Sequence, residues 1–191
     1  MSPERFSRVV LSLQFVVWVG YGVLAGMGHW PAAVFLGLVA SLGLLALEVR
    51  RKIKVKLMDW VLLAYFGIAA IATFLLRSAA FPVYSPIVIW LLYAGVTWVS
   101  ILLGAPFTLQ YARESAPRER WQTPGFLRAN RTISLFWGAA FVANIALVTL
   151  ALNPRYKSLW IAVAAPILTM VIASIFTSWY TRRVRTQAQR A

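Results

Sequence analysis

The sequence predicts an all-α polytopic membrane protein. The expected architecture is six transmembrane helices in three hairpins, both termini cytoplasmic, forming one integral membrane domain over residues 1–191. Three observations carry that expectation. Six apolar runs, roughly 9–27, 31–47, 60–76, 85–103, 133–152 and 159–180, hold no Asp, Glu, Lys, Arg or His. Each is close to the ~17–25 apolar residues that cross a bilayer as a helix. Alternation of the runs puts segments 1–8, 48–59, 104–132 and 181–191 on one side, and these hold sixteen of the 19 basic residues and all 5 acidic ones. Basic residues accumulate on the cytoplasmic side, which sets the orientation. The aromatic residues agree: Trp30, Tyr84, Trp90, Tyr156 and Trp160 fall near one expected interface, and Trp60, Tyr111, Trp121, Trp179 and Tyr180 near the other. Amphipathic rings favour headgroup depth.

Composition narrows the class further. With 61% hydrophobic residues in 191 and a mean hydropathy of +0.73, the chain has no room for a soluble domain beside six spans. A net charge of +14 would suit nucleic acid. Its placement beside apolar spans points instead to topology and anionic headgroups, at ~1 kcal/mol per basic residue. The absence of cysteine removes disulfides, thiolate nucleophiles and Cys-ligated metal sites. Arg5 and Arg8 before an apolar stretch resemble a signal peptide, but the stretch continues to Met27 and leads into a second run. An uncleaved first helix is expected.

Each element has its own signal. Gly28-His29-Trp30-Pro31 makes a tight turn, with Pro31 suited to the first position of the second helix. Between the second and third runs, basic residues at 50, 52, 54 and 56 alternate with their neighbours; an interfacial loop with snorkelling Lys is expected there. Pro82 and Pro86 punctuate the connector before the fourth run. Thr123-Pro124 reads as an N-cap and first helical residue, opening a helix that continues through the fifth run. Residues 153–158 form a turn. Pro166, inside the sixth run, should kink it.

The densest polar region is Pro106 to Pro124 and the start of the helix behind it. Gln110, Tyr111, Arg113, Arg118, Arg120, Trp121, Arg128 and Arg131 are candidate contacts for an anionic lipid headgroup or a partner. Guanidinium forks match phosphate, and aromatics settle at the interface. The plainer reading is a solvated basic loop that secures topology. Further along, Asn130, Trp137 and Asn144 recur every seven residues with Ser134 between them, so they share a helical stripe. An amide at membrane depth needs a partner. Interhelical bonding is the favoured role, with the lining of a substrate path as the alternative.

Other features are weaker. Gly22-x-x-x-Gly26 and Ala139-x-x-x-Ala143 permit close helix approach. His29 is the only histidine and anchors a turn; one histidine makes no typical metal site. No ionisable residue is expected at depth, so no proton relay is visible. Glu114 and Glu119 are the only carboxylates suited to acid–base work, and nothing positions a nucleophile beside them. No cofactor, metal or catalytic residue is expected.

Pro106 to Asn144 resembles the bacterial intracellular septation protein A family of inner-membrane proteins. The similarity lies in a charged loop with Trp121, then Leu127, Arg131, Trp137, Phe141 and Asn144 entering a helix, with Arg131 and Trp137 six positions apart here. The resemblance implies a small multispan protein of the bacterial inner membrane, tied to septation or cell-envelope synthesis through partners. The functional expectation is therefore a non-enzymatic membrane factor. It would pack against a membrane-protein partner or another copy of itself, with a basic cytoplasmic face on anionic lipid and no nucleic-acid role. The alternative is a small transporter or lipid-handling protein.

Overall fold

A computed structural model describes the backbone of residues 3–156, 158 and 160–190. It also describes their side chains, apart from those of 3–12, 14, 15, 185 and 187–190. Lys157 and Leu159, at the expected last turn and start of the sixth run, lie outside the described residues, as does Ala191.

Among the described residues every regular element is a helix. Seven α-helices follow in order: α1 Pro3–Gly26, α2 Trp30–Arg50, α3 Leu57–Ala70, α4 Phe81–Leu102, α5 Thr108–Ser115, α6 Pro124–Ala151 and α7 Ala165–Arg190. Two π-helical turns, Ile71–Leu75 and Trp160–Ala164, extend α3 and lead into α7. Among the described residues, five helical segments are long and apolar enough to cross a membrane: Trp30–Arg50, Leu57–Leu75, Phe81–Leu102, Pro124–Ala151 and Trp160–Val184. The protein is an integral membrane protein. Of the run expected at 9–27, the apolar stretch Val16–Gly26 of α1 is described with its side chains, apart from those at 9–12, 14 and 15.

Three helices end in the same way. Gly28, Lys52 and Gly104 each adopt positive φ just past a helix, and the next residue's N–H bonds back five positions: His29 to Leu24, Ile53 to Glu48, Ala105 to Ser100. This paired closure favours glycine at the left-handed position. Lys52 adopts it at φ 54 despite its Cβ.

The chain divides into two compact units, residues 1–85 and 86–191, with the boundary inside α4. In the first unit α2 packs against both α1 and α3. Its buried positions, Ala33, Val34, Gly37, Ser41, Leu44 and Glu48, recur at three- and four-residue spacing and make one stripe. Val61, Leu62, Tyr65, Phe66 and Ala69 form the facing stripe on α3. Gly37 leaves space that the Phe66 ring fills; a Cβ there would collide with it. Trp18 stacks on Phe66 at 5.5 Å, and Tyr21 meets the same ring edge-on at 5.3 Å. The Tyr21 and Tyr65 hydroxyls are bonded at 2.6 Å. Trp30 Nε1 donates to Thr73 Oγ1 at 2.8 Å, tying the start of α2 to the π turn.

In the second unit α6 lies between α4 and α7. Phe141 stacks on Tyr93 at 5.3 Å, and Gly138 admits the Trp98 ring and Thr97 methyl. On the other side, Phe136 stacks on Phe176 at 4.1 Å, Trp137 bonds Thr177 and Asn144 bonds Thr169. From Phe136–Phe176 and Trp137–Thr177 to Asn144–Thr169 the contacts advance on α6 and retreat on α7, so the two helices run antiparallel.

Several local expectations are corrected. Pro82 and Pro86 lie within the first turns of α4 rather than in a connector. Pro86 has no N–H for the Pro82 carbonyl four residues back, and Ser85 Oγ donates to that carbonyl at 3.0 Å instead. Pro166 is the second residue of α7, directly after a π turn, so its missing N–H falls at a change of helix type and not inside a continuous α-helix. Thr123 precedes α6 as expected, but its hydroxyl donates to Arg120 O at 2.9 Å and caps nothing. A Cβ on Gly22 or Gly26 would meet nothing, and Ala139 and Ala143 are exposed. The close approaches occur at Gly37 and Gly138.

Candidate functional site

The segment expected to be a basic loop is a folded platform. Ser100 Oγ accepts from Phe107 N–H at 3.1 Å and donates to Thr97 O at 2.7 Å, so the chain turns tightly out of α4. Phe107 and Leu109 are buried. Thr108 then joins α5 to α6, its hydroxyl donating to Asn130 O at 2.9 Å and lying 2.8 Å from Ser134 Oγ. α5 is short, and a 3₁₀ turn at Arg118–Arg120 returns the chain to α6.

Trp121 organises the basic residues on this platform. Its Nε1 donates to Ala116 O at 3.0 Å, which fixes the ring plane. The Arg113 guanidinium lies 5.4 Å from the ring centroid and that of Arg118 5.9 Å. Cation–π contacts of this kind are worth ~0.5–1 kcal/mol at exposed sites. The Arg113 Nε–H is buried and meets no acceptor. Arg118, Arg120, Arg128 and Arg131 are exposed, while Gln110 and Tyr111 are partly buried and hold partners within the protein. Of the expected contact residues, the structure thus gathers Arg113, Arg118 and Trp121. Arg120 adjoins them on the 3₁₀ turn, and Arg128 and Arg131 sit in the first turns of α6.

The four residues of the expected polar stripe divide between two partners, Asn130 through its backbone carbonyl. Asn130 and Ser134 face α5 through Thr108; Asn130 also donates Nδ2–H to Phe126 O at 2.9 Å on its own helix. Trp137 and Asn144 face α7, with Trp137 Nε1 donating to Thr177 Oγ1 at 3.0 Å. Asn144 is 0% exposed. Its Oδ1 lies 2.6 Å from Thr169 Oγ1, which is also 2.7 Å from Pro166 O. One hydroxyl has one proton and cannot donate to both acceptors. Amide nitrogen and oxygen are nearly interchangeable in shape. Turning the amide over uses the Nδ2 that otherwise meets no acceptor: it donates to Thr169, and Thr169 donates to Pro166 O. Asn144 is then a donor across the helix pair.

Two buried charged residues were not expected. Glu48 is 1% exposed on the α2 stripe and Lys56 is 4% exposed at the start of α3. Both are engaged within the protein. Lys56 does not snorkel; its backbone N–H donates to Asp59 Oδ2 at 2.7 Å, which caps α3. Glu48 follows Leu44 by four positions, so the stripe spacing pointed to it. His29 is exposed, and no group of metal-binding side chains occurs among the described residues.

Fold and site together define a polytopic helical membrane protein with an arginine-bearing platform at one end. Compared with known proteins, the chain matches no family model, no curated protein and no solved structure.

Proposed function

We propose that the chain spans the bacterial inner membrane six times with both termini cytoplasmic, and acts as a non-enzymatic factor. In this reading it packs against a membrane or cell-envelope partner while its basic end rests on anionic lipid. The observation that carries it is the platform of α5, the 3₁₀ turn and the start of α6. There Arg118, Arg120, Arg128 and Arg131 are all exposed, and Arg118 lies against the fixed Trp121 ring. Juxtamembrane arginines gain ~1 kcal/mol each near an anionic surface. The envelope partner rests on the Pro106–Asn144 resemblance alone, and the orientation on the partition of basic residues.

The buried, bonded state of Asn130, Ser134 and Asn144 supports a packing role for the stripe over a wet substrate path. Two experiments test these points. Neutralising Arg118, Arg120, Arg128 and Arg131 to Gln should release co-purifying acidic phospholipid, and unchanged retention would leave these arginines a topological role. A cysteine placed at Asn144 in this cysteine-free chain should stay inert to aqueous thiol reagent, whereas labelling would favour the transport reading.

A further inference from the structure

We infer that Arg113 and Arg118, mounted on Trp121, form a fork for the phosphate of an anionic lipid headgroup. The inference rests on the lipid-facing reading above and adds the chemical group that is recognised and the side chains that read it.

Three observations converge. First, the two segments flanking this end, 104–132 and 181–191, contain nine arginines and no lysine. A topological signal alone is met by either residue, as the Lys52, Lys54 and Lys56 loop illustrates. Arginine differs in offering planar, paired N–H donors that match phosphate oxygens. Second, both guanidinium groups are held by one ring whose own N–H is bonded to Ala116 O, so the fork is set before any ligand arrives. Arg113 is half-buried against the ring, and its Nε–H meets no acceptor among the described residues, so its outward-facing guanidinium N–H groups are the ones left for an anion. Third, no carboxylate lies on α6 or α7 to neutralise this end. The α6–α7 pairings put Arg131 level with Arg182, so like charges accumulate side by side. Only Glu114 and Glu119 are acidic here; Glu114 is engaged within the protein and Glu119 is exposed on the 3₁₀ turn. An external phosphate supplies the missing negative charge. A membrane lipid is the favoured source because α5 and Trp121 adjoin the ends of two apolar spans.

The test uses the full-length protein in a neutral detergent, with thermal unfolding followed as short-chain phosphatidic acid, oleate or inorganic phosphate is added. Phosphatidic acid should stabilise the wild type. Arg118→Lys and the Arg113→Lys/Arg118→Lys pair, which keep the charge, should weaken that binding about tenfold, the loss expected for one charge-assisted hydrogen bond. Oleate brings a carboxylate and should distinguish the variants less. Arg118 is exposed, so its single variant does not depend on repacking. Trp121→Phe, which keeps a ring but loses the bond to Ala116 O, should also bind more weakly. Equal phosphatidic acid binding by wild type and both Lys variants would overturn the fork, even if the fourfold Gln variant had lost acidic lipid. Stabilisation by inorganic phosphate as strong as by phosphatidic acid would overturn the lipid as the source.

Discussion

The two units of this chain bury their helices with a different balance of rings and polar bonds. The first relies on interlocked rings: Phe66 fills the space left by Gly37 and is covered by Trp18 and Tyr21, with one hydroxyl pair between Tyr21 and Tyr65. The second adds to its stacked rings, Phe136 on Phe176 and Phe141 on Tyr93, a series of polar links along α6 through Thr108, Thr177 and Thr169. Apolar burial does not drive helices together in lipid, so packing and interhelical bonds must. A ring interlock concentrates that packing at one point and is brittle there. A series of hydroxyl and amide links spreads it, so each link is individually small.

The largest effect should come from putting charge into the second unit. Asn144→Asp places a carboxylate at a position with 0% exposure, where a charge at the centre of a membrane helix costs ~2.5–3.5 kcal/mol on insertion scales. Thermal unfolding in detergent at rising pH should show the loss growing as the carboxylate ionises. A pH-independent, wild-type melting curve would mean that Asn144 is not sealed.

Gly37→Ala comes next. Overpacking of this kind costs ~1–3 kcal/mol, and Phe66 has no space to retreat into because it is 0% exposed. The added methyl should lower the melting temperature, and Phe66→Leu in the same chain should restore part of it. If the single variant were neutral, the first unit would not be interlocked.

Asn144→Leu should be milder, near the ~0.6 kcal/mol typical of interhelical bonds in membranes. Thr169 keeps Pro166 O as an acceptor after the amide is gone. A loss as large as that of Gly37→Ala would erase the contrast between concentrated and distributed packing.

The smallest effect is a gain. Lys52 sits at φ 54 in a helix closure suited to glycine. Relief of ~1–2 kcal/mol from the left-handed conformation is offset by ~0.5–1 kcal/mol of added chain entropy. Lys52→Gly should therefore stabilise by about 0.5 kcal/mol in a chemical-denaturation comparison. Destabilisation would mean that the Lys52 side chain makes a contact worth more than its strained backbone.

The span-forming segments were legible because charge-free runs of this length have few other uses, and α6 was legible from Thr123-Pro124 onward. The polar stripe followed from a seven-residue recurrence that needs no knowledge of neighbours. What escaped notice depended on neighbours. Gly22-x-x-x-Gly26 and Gly37 look alike as small residues, and only the position of Phe66 separates them. α5 has eight residues, too few for its period to stand out beside a run of arginines. Lys56 belonged to an alternating basic stretch that suggested snorkelling, whereas its place at the start of α3 buries it. The π turns left no trace in composition.

Those π turns affect how the chain is to be compared with any relative. A π turn holds one residue more than an α-helical turn, and each residue in an α-helix adds about 100° of rotation. The extra residue in Ile71–Leu75 shifts the phase of the helix within the turn that carries Thr73, whose hydroxyl accepts from Trp30. Deleting one residue there would leave the stripe up to Ala69 undisturbed and swing every later side chain away from its partner. The turn at Trp160–Ala164 instead opens its helix and leads directly into α7. An alignment of this chain with a regular α-helical homologue must therefore open a one-residue gap inside Ile71–Leu75, even where the flanking letters match without it.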